Sequence, residues 1–208
     1  MSFSPSKNDG PDDLIAEGIV TTVNADGSAN ISPMGPRVDR QFTRLLLRPF
    51  QTSTTYQNLK RTGEGVFHIT DDVLLIAKAA VGKLIPVPAL QPAPLLAGFV
   101  LADACRWFAF RVSKLDDQEE RTTIHCTVVG SGNIRPFFGF NRAKHAVLEA
   151  AILATRIGIL PAEQITEELE RLAIPVDKTA GAQEREAFDF LRDYVAQALA
   201  AAIKPSAP

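Results

Sequence analysis

The sequence has few of the residues that build metal centres, and it lacks the long apolar runs of membrane proteins. Its two cysteines, Cys105 and Cys126, stand in apolar segments without CxxC or Cys/His spacing. We therefore expect reduced, buried thiols and no metal site. No apolar run reaches the roughly 18 residues of a membrane span, and the first ten residues, MSFSPSKNDG, lack the apolar core of a signal peptide. These absences predict a soluble, cytoplasmic protein without a membrane partner.

The sequence also has no large excess of positive or negative charge. The formal net charge of the 208 residues is −2, and 22% of them are charged against 46% hydrophobic. This balance is typical of a globular protein and gives no indication of a nucleic-acid partner. The phosphate-binding loops GxGxxG and GxxxxGK are missing as well. No Ser/His/Asp arrangement stands out from chance, so the sequence assigns no catalytic residue.

The first half of the chain has the composition of β-strands around one short helix. Residues Leu14 to Val23 are rich in β-branched side chains and lead into Asp26-Gly27, a strong hairpin turn signal, before the segment ANISPMGP. A helix is predicted over Thr52 to Thr62, closed by Gly63. Further strands are predicted over 42–47, 66–70, 107–112 and 122–129. His68 alternates with apolar neighbours in one of them, so we expect a hydrogen-bonded core histidine.

Helical spacing dominates the second half. Helices are predicted over 73–84, over 141–157 with Gly158 as C-cap, from Pro161 onward, and over 183–203. The segment 85–98 contains four prolines and predicts an extended connection or a lid.

Strands followed by a block of helices predict an α+β protein, with a β-sheet curled into a barrel and helices on one side. The domain division expected from this pattern is a disordered N-terminus over 1–13, a barrel domain over 14–140 and a C-terminal helical extension, packed on the barrel, over 141–204.

A cluster of hydroxyl residues precedes the short helix in QTSTTYQNLKR, residues 51–61. A helix N-terminus exposes unpaired N–H groups and a partial positive charge, so Ser53, Thr54 and Thr55 could help to hold a phosphate there. Lys60 and Arg61 lie at the far end of the helix, whereas Arg48 is a better placed cation. A plain helix cap with surface hydroxyls explains the same residues, and both interpretations stay open.

Several motifs together resemble the flavin-reductase-like FMN-binding split-barrel family. TTYQNLKRTGEGVFHI is similar to a family segment that places hydroxyls before a helix, and EGIVTTVNADGSANISPMGP is similar to the family's opening hairpin. NRAKHAVLEAAILATR and TDDVLLIAKAA resemble one uncharacterised branch of the family, a domain of unknown function. The resemblance extends from Glu17 to Arg156 and implies a split barrel with C-terminal helices.

The resemblance also implies a cofactor and a site. It implies that FMN binds at the interface of a homodimer and that a reduced nicotinamide, NAD(P)H, or another small molecule is a partner of a flavin reductase. The residues implied to contact FMN are Ser32, Pro33, Met34 and Gly35 along the isoalloxazine ring, and Ser53, Thr54, Thr55 and Asn58 near the phosphate. Two alternatives remain: a non-catalytic dimeric module that holds flavin or another phosphorylated ligand, and a chain that uses a deazaflavin or haem.

Arg142 is a further candidate for a phosphate contact. It stands at the start of the predicted 141–157 helix, where a cation is mildly unfavourable unless an anion lies nearby. Arg156 is 14 residues further on, about 21 Å along a helix, so one phosphate cannot contact both arginines of one chain. We therefore prefer Arg142 as the contact. His145 and Glu149, one turn apart, are expected to pair with each other.

Overall fold

The structure is a computed structural model that describes residues 14–203. The segment 1–13, for which the sequence predicts disorder, lies outside the described residues. Contacts within the chain divide it into two units. The described part of the first unit comprises 14–70 and 88–136, and that of the second comprises 71–87 and 137–203.

The first unit is built on a β-sheet. Its strands are β1 (Leu14–Ile15), β2 (Gly18–Val23), β3 (Ala29–Met34), β4 (Arg37–Val38), β5 (Arg44–Leu47), β6 (Glu64–Ile69), β7 (Leu90–Pro92), β8 (Phe99–Leu101), β9 (Arg106–Asp116) and β10 (Thr123–Asn133). Eight of them form one sheet in the order β1-β4-β5-β10-β9-β6-β2-β3, and β7 pairs with β8. One helix, α1 (Thr54–Thr62), lies between β5 and β6. This arrangement confirms the predicted β-rich half with one helical insert.

The opening hairpin forms as its sequence predicts. Strands β2 and β3 pair antiparallel from Gly18 opposite Met34 to Val23 opposite Ala29. In the turn, Gly27 has a φ of 85°, a conformation that glycine adopts at little steric cost. Strand β3 is the last strand of the sheet, so among the described strands it has a neighbour on one side only.

Strands β9 and β10 are longer than the predicted ranges 107–112 and 122–129. Each spans 11 residues, and they pair from Thr123 opposite Asp116 to Asn133 opposite Arg106. The ends of the two strands that lie beyond the predicted ranges carry mostly exposed polar residues. They lack the apolar pattern from which the strands were predicted. Pairing of the backbone continues there because hydrogen bonds between strands do not require apolar side chains.

The core of this unit is formed by side chains of the sheet and of α1. Its buried members are Val20, Val38, Leu45, Leu47, Tyr56, Leu59, Phe67, Phe108, Phe110, Ile124 and Cys126. Tyr56 and Leu59 fix α1 on the sheet, and with it the position of the helix N-terminus. Both cysteines are free and buried, as expected, and burial raises the pKa of Cys126 to about 12.

The proline-rich segment is more regular than the sequence predicts. Strand β7 pairs with β8 from Leu90 opposite Leu101 to Pro92 opposite Phe99. Pro92 tolerates its missing N–H because its pair with Phe99 is not a hydrogen-bonded one; the next residue, Ala93, donates its N–H to the carbonyl of Gly98 at 2.9 Å. The expectation of a wholly irregular connection was therefore wrong for this stretch.

The second unit consists of four helices: α2 (Val73–Ala80), α3 (Arg142–Ala154), α4 (Ala162–Thr179) and α5 (Ala182–Ile203). Their core includes the small apolar face of α3, where Ala143, Ala146, Val147, Ala150, Ala151 and Ala154 are all buried. Buried apolar residues also line one face of α4, Ile165 and Leu169, and one face of α5, Phe188, Leu191 and Val195.

Several helix boundaries differ from prediction. Helix α2 ends at Ala80 and not at residue 84, because Gly82 follows with a φ of 66°. Helix α3 ends at Ala154, with Thr155 as C-cap in place of Gly158. Pro161 is the N-cap of α4 and not a residue of its first turn.

The contacts group α2 with the helical unit, although the sequence pattern placed it within the barrel domain. The division at 140 and 141 and the packing of the extension on the barrel stay predictions.

Candidate functional site

The N-terminal end of α1 is capped by a single residue of the hydroxyl cluster. The Oγ atom of Ser53 accepts a hydrogen bond from the N–H of Tyr56 at 3.2 Å and donates to the carbonyl of Phe50 at 2.8 Å. At the other end, Gly63 adopts a left-handed conformation and donates to the carbonyl of Leu59. The sequence thus predicted the C-terminal end of this helix at Gly63, whereas the helix begins at Thr54 and not at the predicted Thr52.

The other donors of the first turn are not used by the described chain. Within residues 14–203, the backbone N–H groups of Thr54 and Thr55 have no hydrogen-bond acceptor. The first turn contains no acidic residue, and the side chain of Thr54 is exposed. Because a helix N-terminus bears a partial positive charge, this turn favours an anion.

A network of side chains joins α1 to the opening hairpin. The Nδ2 atom of Asn30 on β3 donates to the hydroxyl of Thr55 at 3.1 Å and to that of Thr22 at 3.1 Å. Nδ2 of Asn58 donates to the Thr22 hydroxyl at 3.0 Å and to Oδ1 of Asn24 at 2.8 Å. Thr55 and Asn58 are buried, 2% and 5% exposed, so they position the helix on the hairpin.

The sequence analysis missed Asn30 and Thr22. Asn30 lies directly opposite Thr22 in the hairpin, a pairing that follows once the turn at Asp26-Gly27 sets the register. No feature of the sequence predicts the hydrogen bonds that join Asn30 and Thr22 to α1.

The residues expected along the flavin ring lie at the end of β3. Ser32, Pro33 and Met34 are its last three residues and are half-buried, and Gly35 follows as an exposed residue. Ser32, Pro33 and Met34 belong to the opening hairpin, because they pair with β2. Ser32 is two positions beyond Asn30, and alternate residues of a strand share one face. The Ser32 side chain is therefore on the face of β3 from which Asn30 reaches α1.

Arg48 follows the last residue of β5 and is half-buried. Its Nε atom is buried and has no hydrogen-bond partner within the described residues. A buried N–H without an acceptor is unfavourable by about 1 to 3 kcal/mol. The Arg48 side chain is thus suited to bind an anion.

Arg142 is the first residue of α3 and is exposed in the helical unit. The first turn of α3 differs from that of α1. Asn141 accepts the N–H groups of Ala143 and Lys144, and the Thr179 hydroxyl also accepts from Ala143. Fewer N–H groups are therefore open to a ligand at this helix end.

Lys60 and Arg61, at the far end of α1, are bonded to protein groups. Lys60 Nζ contacts Oδ2 of Asp117 at 2.8 Å and the Tyr56 hydroxyl at 3.0 Å. Hydrogen bonds that Lys60 donates to Asp117 and Tyr56 raise the pKa of Lys60. The Arg61 guanidinium donates to the carbonyl of Val23. These contacts agree with their exclusion as phosphate ligands.

His68 is a core residue, as the sequence predicts. It is 0% exposed. Its Nδ1 atom lies 3.2 Å from the carbonyl of Ile19, and its Nε2 atom accepts the N–H of Leu101 at 3.1 Å. Burial lowers the pKa of His68 to about 4, so the ring is neutral near pH 7. His145 and Glu149 lie 3.9 Å apart on an exposed face of α3, which confirms the predicted pair.

Two adjoining family models match the chain. One, described as the N-terminal domain of a protein of unknown function (DUF447), matches residues 16–135. The chain belongs to the DUF447 family. The model of the C-terminal DUF447 region matches residues 141–193. This membership confirms the resemblance to an uncharacterised branch with a domain of unknown function. No match was found among curated proteins.

Solved structures share the fold of this DUF447 protein. The FMN-bound protein MM1853 from Methanosarcina mazei, a DUF447 protein, is 23% identical, with a TM-score of 0.75 over 86% of this chain and 94% of that one. SMa0793 from Sinorhizobium meliloti 1021 is 14% identical, with a TM-score of 0.50 over 66% of this chain and 53% of that one. At these identities the likeness shows the fold alone. It confirms the predicted α+β split barrel with C-terminal helices.

The remaining expectations concern membranes, metals, assembly and the flavin contacts. No helix within the described part of this DUF447 chain is long and apolar enough to cross a membrane. Among residues 14–203, no group of three or more His, Cys, Asp or Glu side chains could hold a metal ion. The homodimer, the cytoplasmic location and the individual flavin contacts stay predictions.

Proposed function

We propose that this DUF447 protein is an FMN-binding flavoprotein that acts as an oxidoreductase. The first turn of α1 is the observation that carries the proposal. It combines two N–H groups without acceptors, an exposed Thr54 hydroxyl and the absence of acidic residues. The structural neighbour MM1853, which shares the fold over 86% of this chain, is FMN-bound.

The residues at this helix end suit a phosphate. The N–H groups of Thr54 and Thr55 and the Thr54 hydroxyl are donors, and hydrogen bonds to a charged acceptor are stronger than those between neutral groups. Arg48 adds a cation whose Nε atom is buried without a partner. Ser53 caps the helix, and Asn58 and the Thr55 side chain position it. Arg142, at the positive end of α3, is a further candidate contact.

The isoalloxazine ring is proposed to lie along the end of β3. Ser32 to Gly35 supply backbone groups at an edge of the sheet where the described strands provide no further neighbour. A second copy of the chain is proposed to cover the other side of the ring, so that the homodimer completes the site. This arrangement makes flavin binding depend on assembly.

The proposed activity is electron transfer from a reduced nicotinamide. Bound FMN would supply the redox chemistry of this transfer, and the chain would bind and orient the reactants. The alternative is a module that holds flavin or another phosphorylated ligand without turnover. A deazaflavin or haem in place of FMN is distinguished by its absorption spectrum.

A flavin titration tests the binding proposal. The protein as purified should show the absorbance of an oxidised flavin, or should gain it after incubation with FMN and removal of free ligand. Riboflavin, which lacks the phosphate, should bind much more weakly, because the helix end contributes through the phosphate. A protein that stays colourless and quenches no FMN fluorescence would refute the proposal.

Anaerobic addition of NADH or NADPH then tests the activity. Bleaching of the flavin absorbance in proportion to added nicotinamide supports the oxidoreductase. A flavin that dithionite reduces but neither nicotinamide does would support the non-catalytic module.

A further inference from the structure

A cationic cleft lies on the first unit, formed by residues that the sequence analysis did not connect. It consists of two adjoining hollows of about 370 Å³ and 180 Å³. They share four lining residues: Arg37, Leu46, Lys114 and His125. Arg44 lines the larger hollow and Arg48 the smaller one. The larger volume falls within the range of roughly 300 to 1,000 Å³ that is usual for small-molecule sites.

The four shared residues form one row across four strands. Arg37 on β4 lies opposite Leu46 on β5, Leu46 lies opposite His125 on β10, and His125 lies opposite Lys114 on β9. Residues opposite each other on neighbouring strands project to the same face, at about 4.8 Å per strand. The sheet therefore brings together side chains from distant parts of the chain.

A β-bulge lies at one end of this row. The register between β9 and β10 shifts between His125 and Cys126, which leaves Ser113 as the extra residue. The Ser113 hydroxyl donates to the carbonyl of His125 at 3.0 Å, and Ser113 lines the larger hollow. Bulges often occur beside binding sites, where they redirect a neighbouring side chain, in this case that of Lys114.

The two acidic residues of the cleft, Asp39 and Asp116, offset only part of the charge of its four Arg and Lys side chains. Asp39 accepts hydrogen bonds from the backbone N–H groups of Gln41, Thr43 and Arg44. Partial burial would raise the pKa of Asp39, but these bonds and the Thr43 hydroxyl lower it to about 2. Its contact with Arg44 is a long one, 3.5 Å. Asp116, the other acid, accepts the N–H of Gln118.

Two cations of the cleft have a group without a partner among residues 14–203. Lys114 is exposed, and its ammonium group forms no ion pair or hydrogen bond with the described residues. The Nε atom of Arg48 is buried without an acceptor. A surface lysine is easily hydrated, whereas a buried guanidinium N–H without an acceptor is unfavourable, and an oxygen of a bound ligand would satisfy it.

From this geometry we infer that the cleft binds the phosphate or diphosphate group of a small molecule. A phosphate provides acceptors for the guanidinium of Arg48 and for the ammonium of Lys114, and His125 borders the same space. The ligand has one of two sources. It is either the phosphate of FMN itself, since Arg48 also belongs to the predicted flavin site, or a second phosphorylated ligand such as a nicotinamide dinucleotide.

The test uses inorganic pyrophosphate as a probe for the full-length chain. Calorimetric titration at low ionic strength should show one pyrophosphate per chain. Lys114→Met removes the charge but keeps an apolar stem, and we expect it to weaken binding about tenfold, the usual effect of one charge-assisted contact. Lys114→Arg should restore most of the affinity. Lys83→Met is the matched control, because Lys83 is an exposed lysine of the other unit.

Titrations with and without FMN separate the two sources. If FMN-loaded protein still binds pyrophosphate and Lys114→Met leaves the Kd for FMN unchanged, the cleft holds a second ligand. If FMN excludes pyrophosphate and Lys114→Met weakens FMN as well, the cleft holds the FMN phosphate. Both results support the inference.

Two results would overturn it. One is pyrophosphate binding that Lys114→Met does not weaken. The other is an absence of pyrophosphate binding together with an unchanged Kd for FMN in the Lys114→Met variant. A protein that binds pyrophosphate through Lys114 but never binds FMN would refute the proposed function and leave this inference intact. Far-UV circular dichroism confirms that each variant is folded.

Discussion

The hydroxyl of Thr55, in the first turn of α1, accepts a hydrogen bond from Nδ2 of Asn30 on β3 at 3.1 Å. The two residues are 25 positions apart in the chain. Their bond connects the helix end proposed to hold a phosphate with the strand whose end is proposed to lie along the flavin ring. The two halves of the candidate site are therefore held together before any ligand binds.

Replacing this buried hydroxyl should destabilise the protein. Thr55→Val keeps the shape of the side chain but removes the acceptor of Asn30, so we expect a loss of about 1 to 2 kcal/mol in the free energy of unfolding. Urea denaturation measures it. Thr52→Val, which changes an exposed threonine just before the helix, should stay within about 0.5 kcal/mol of the parent. Equal stability of both variants would show that the Asn30 bond contributes little.

Thr54 should affect the ligand and not the fold. It is the exposed hydroxyl of the first turn, so Thr54→Val should leave the unfolding free energy nearly unchanged. The loss of a hydrogen bond to phosphate should raise the Kd for FMN about tenfold. Flavin fluorescence quenching measures this Kd, again with Thr52→Val as control. An unchanged Kd would mean that the hydroxyl cluster acts only as a helix cap.

His68 should make stability depend on pH in a defined window. Burial holds its pKa at about 4 in the folded protein, below the usual value of 6.5. Between these values the unfolded chain binds more protons than the folded one. The contribution of His68 is therefore complete above pH 6.5 and is lost as the pH falls toward 4.

A glutamine at this position isolates that contribution. Between about pH 7 and pH 4.5, the parent protein should lose roughly 2 to 3 kcal/mol more stability than His68→Gln, whatever their stabilities near neutral pH. His145→Gln, at an exposed position, should keep the pH dependence of the parent. The same pH dependence in all three proteins would contradict a neutral, buried His68.

A buried ion pair supports the helical unit. Nζ of Lys144 contacts Oε1 of Glu184 at 2.7 Å, and the two side chains are only 15% and 10% exposed. Desolvation opposes ionisation of Glu184, but hydrogen bonds, chiefly from Lys144, leave its pKa lowered overall. Glu184→Gln should destabilise the protein by about 3 kcal/mol, because it leaves the Lys144 charge buried beside a neutral amide.

An exposed pair serves as the control for this change. Arg192 and Asp189 lie 3.9 Å apart on α5, and both are more than half exposed. Asp189→Asn should change the unfolding free energy by less than about 1 kcal/mol. Chemical denaturation followed by helical circular dichroism compares the two variants, and similar losses would indicate that burial of the Lys144 pair has no special effect.

Local features of the fold were predictable because they depend on neighbouring residues. Asp26-Gly27 specified the hairpin, and Gly63 closed α1. Each signal lies within a few positions of the feature it predicts. The resemblance to the split-barrel family used the order of such segments along the chain and led to the same fold.

Features that depend on distant contacts were missed. The β7–β8 hairpin forms within a proline-rich stretch that has no strand pattern of its own. The outer halves of β9 and β10 carry polar residues and form because each provides a partner for the other. Helix α2 groups with helices that lie more than 60 positions later in the chain, which its own periodicity cannot indicate.

The sequence by itself determined the C-cap of α1 at Gly63, the hairpin register and the family of this chain. Capping and turn residues act over short distances, and the order of the motifs is part of the sequence. Only the tertiary structure decided that Asn30 fixes Thr55 and that Leu46, His125 and Lys114 share one face of the sheet. The reason is physical: strand pairing and burial bring together residues that are far apart in the chain, and nothing in the sequence near either residue indicates the contact.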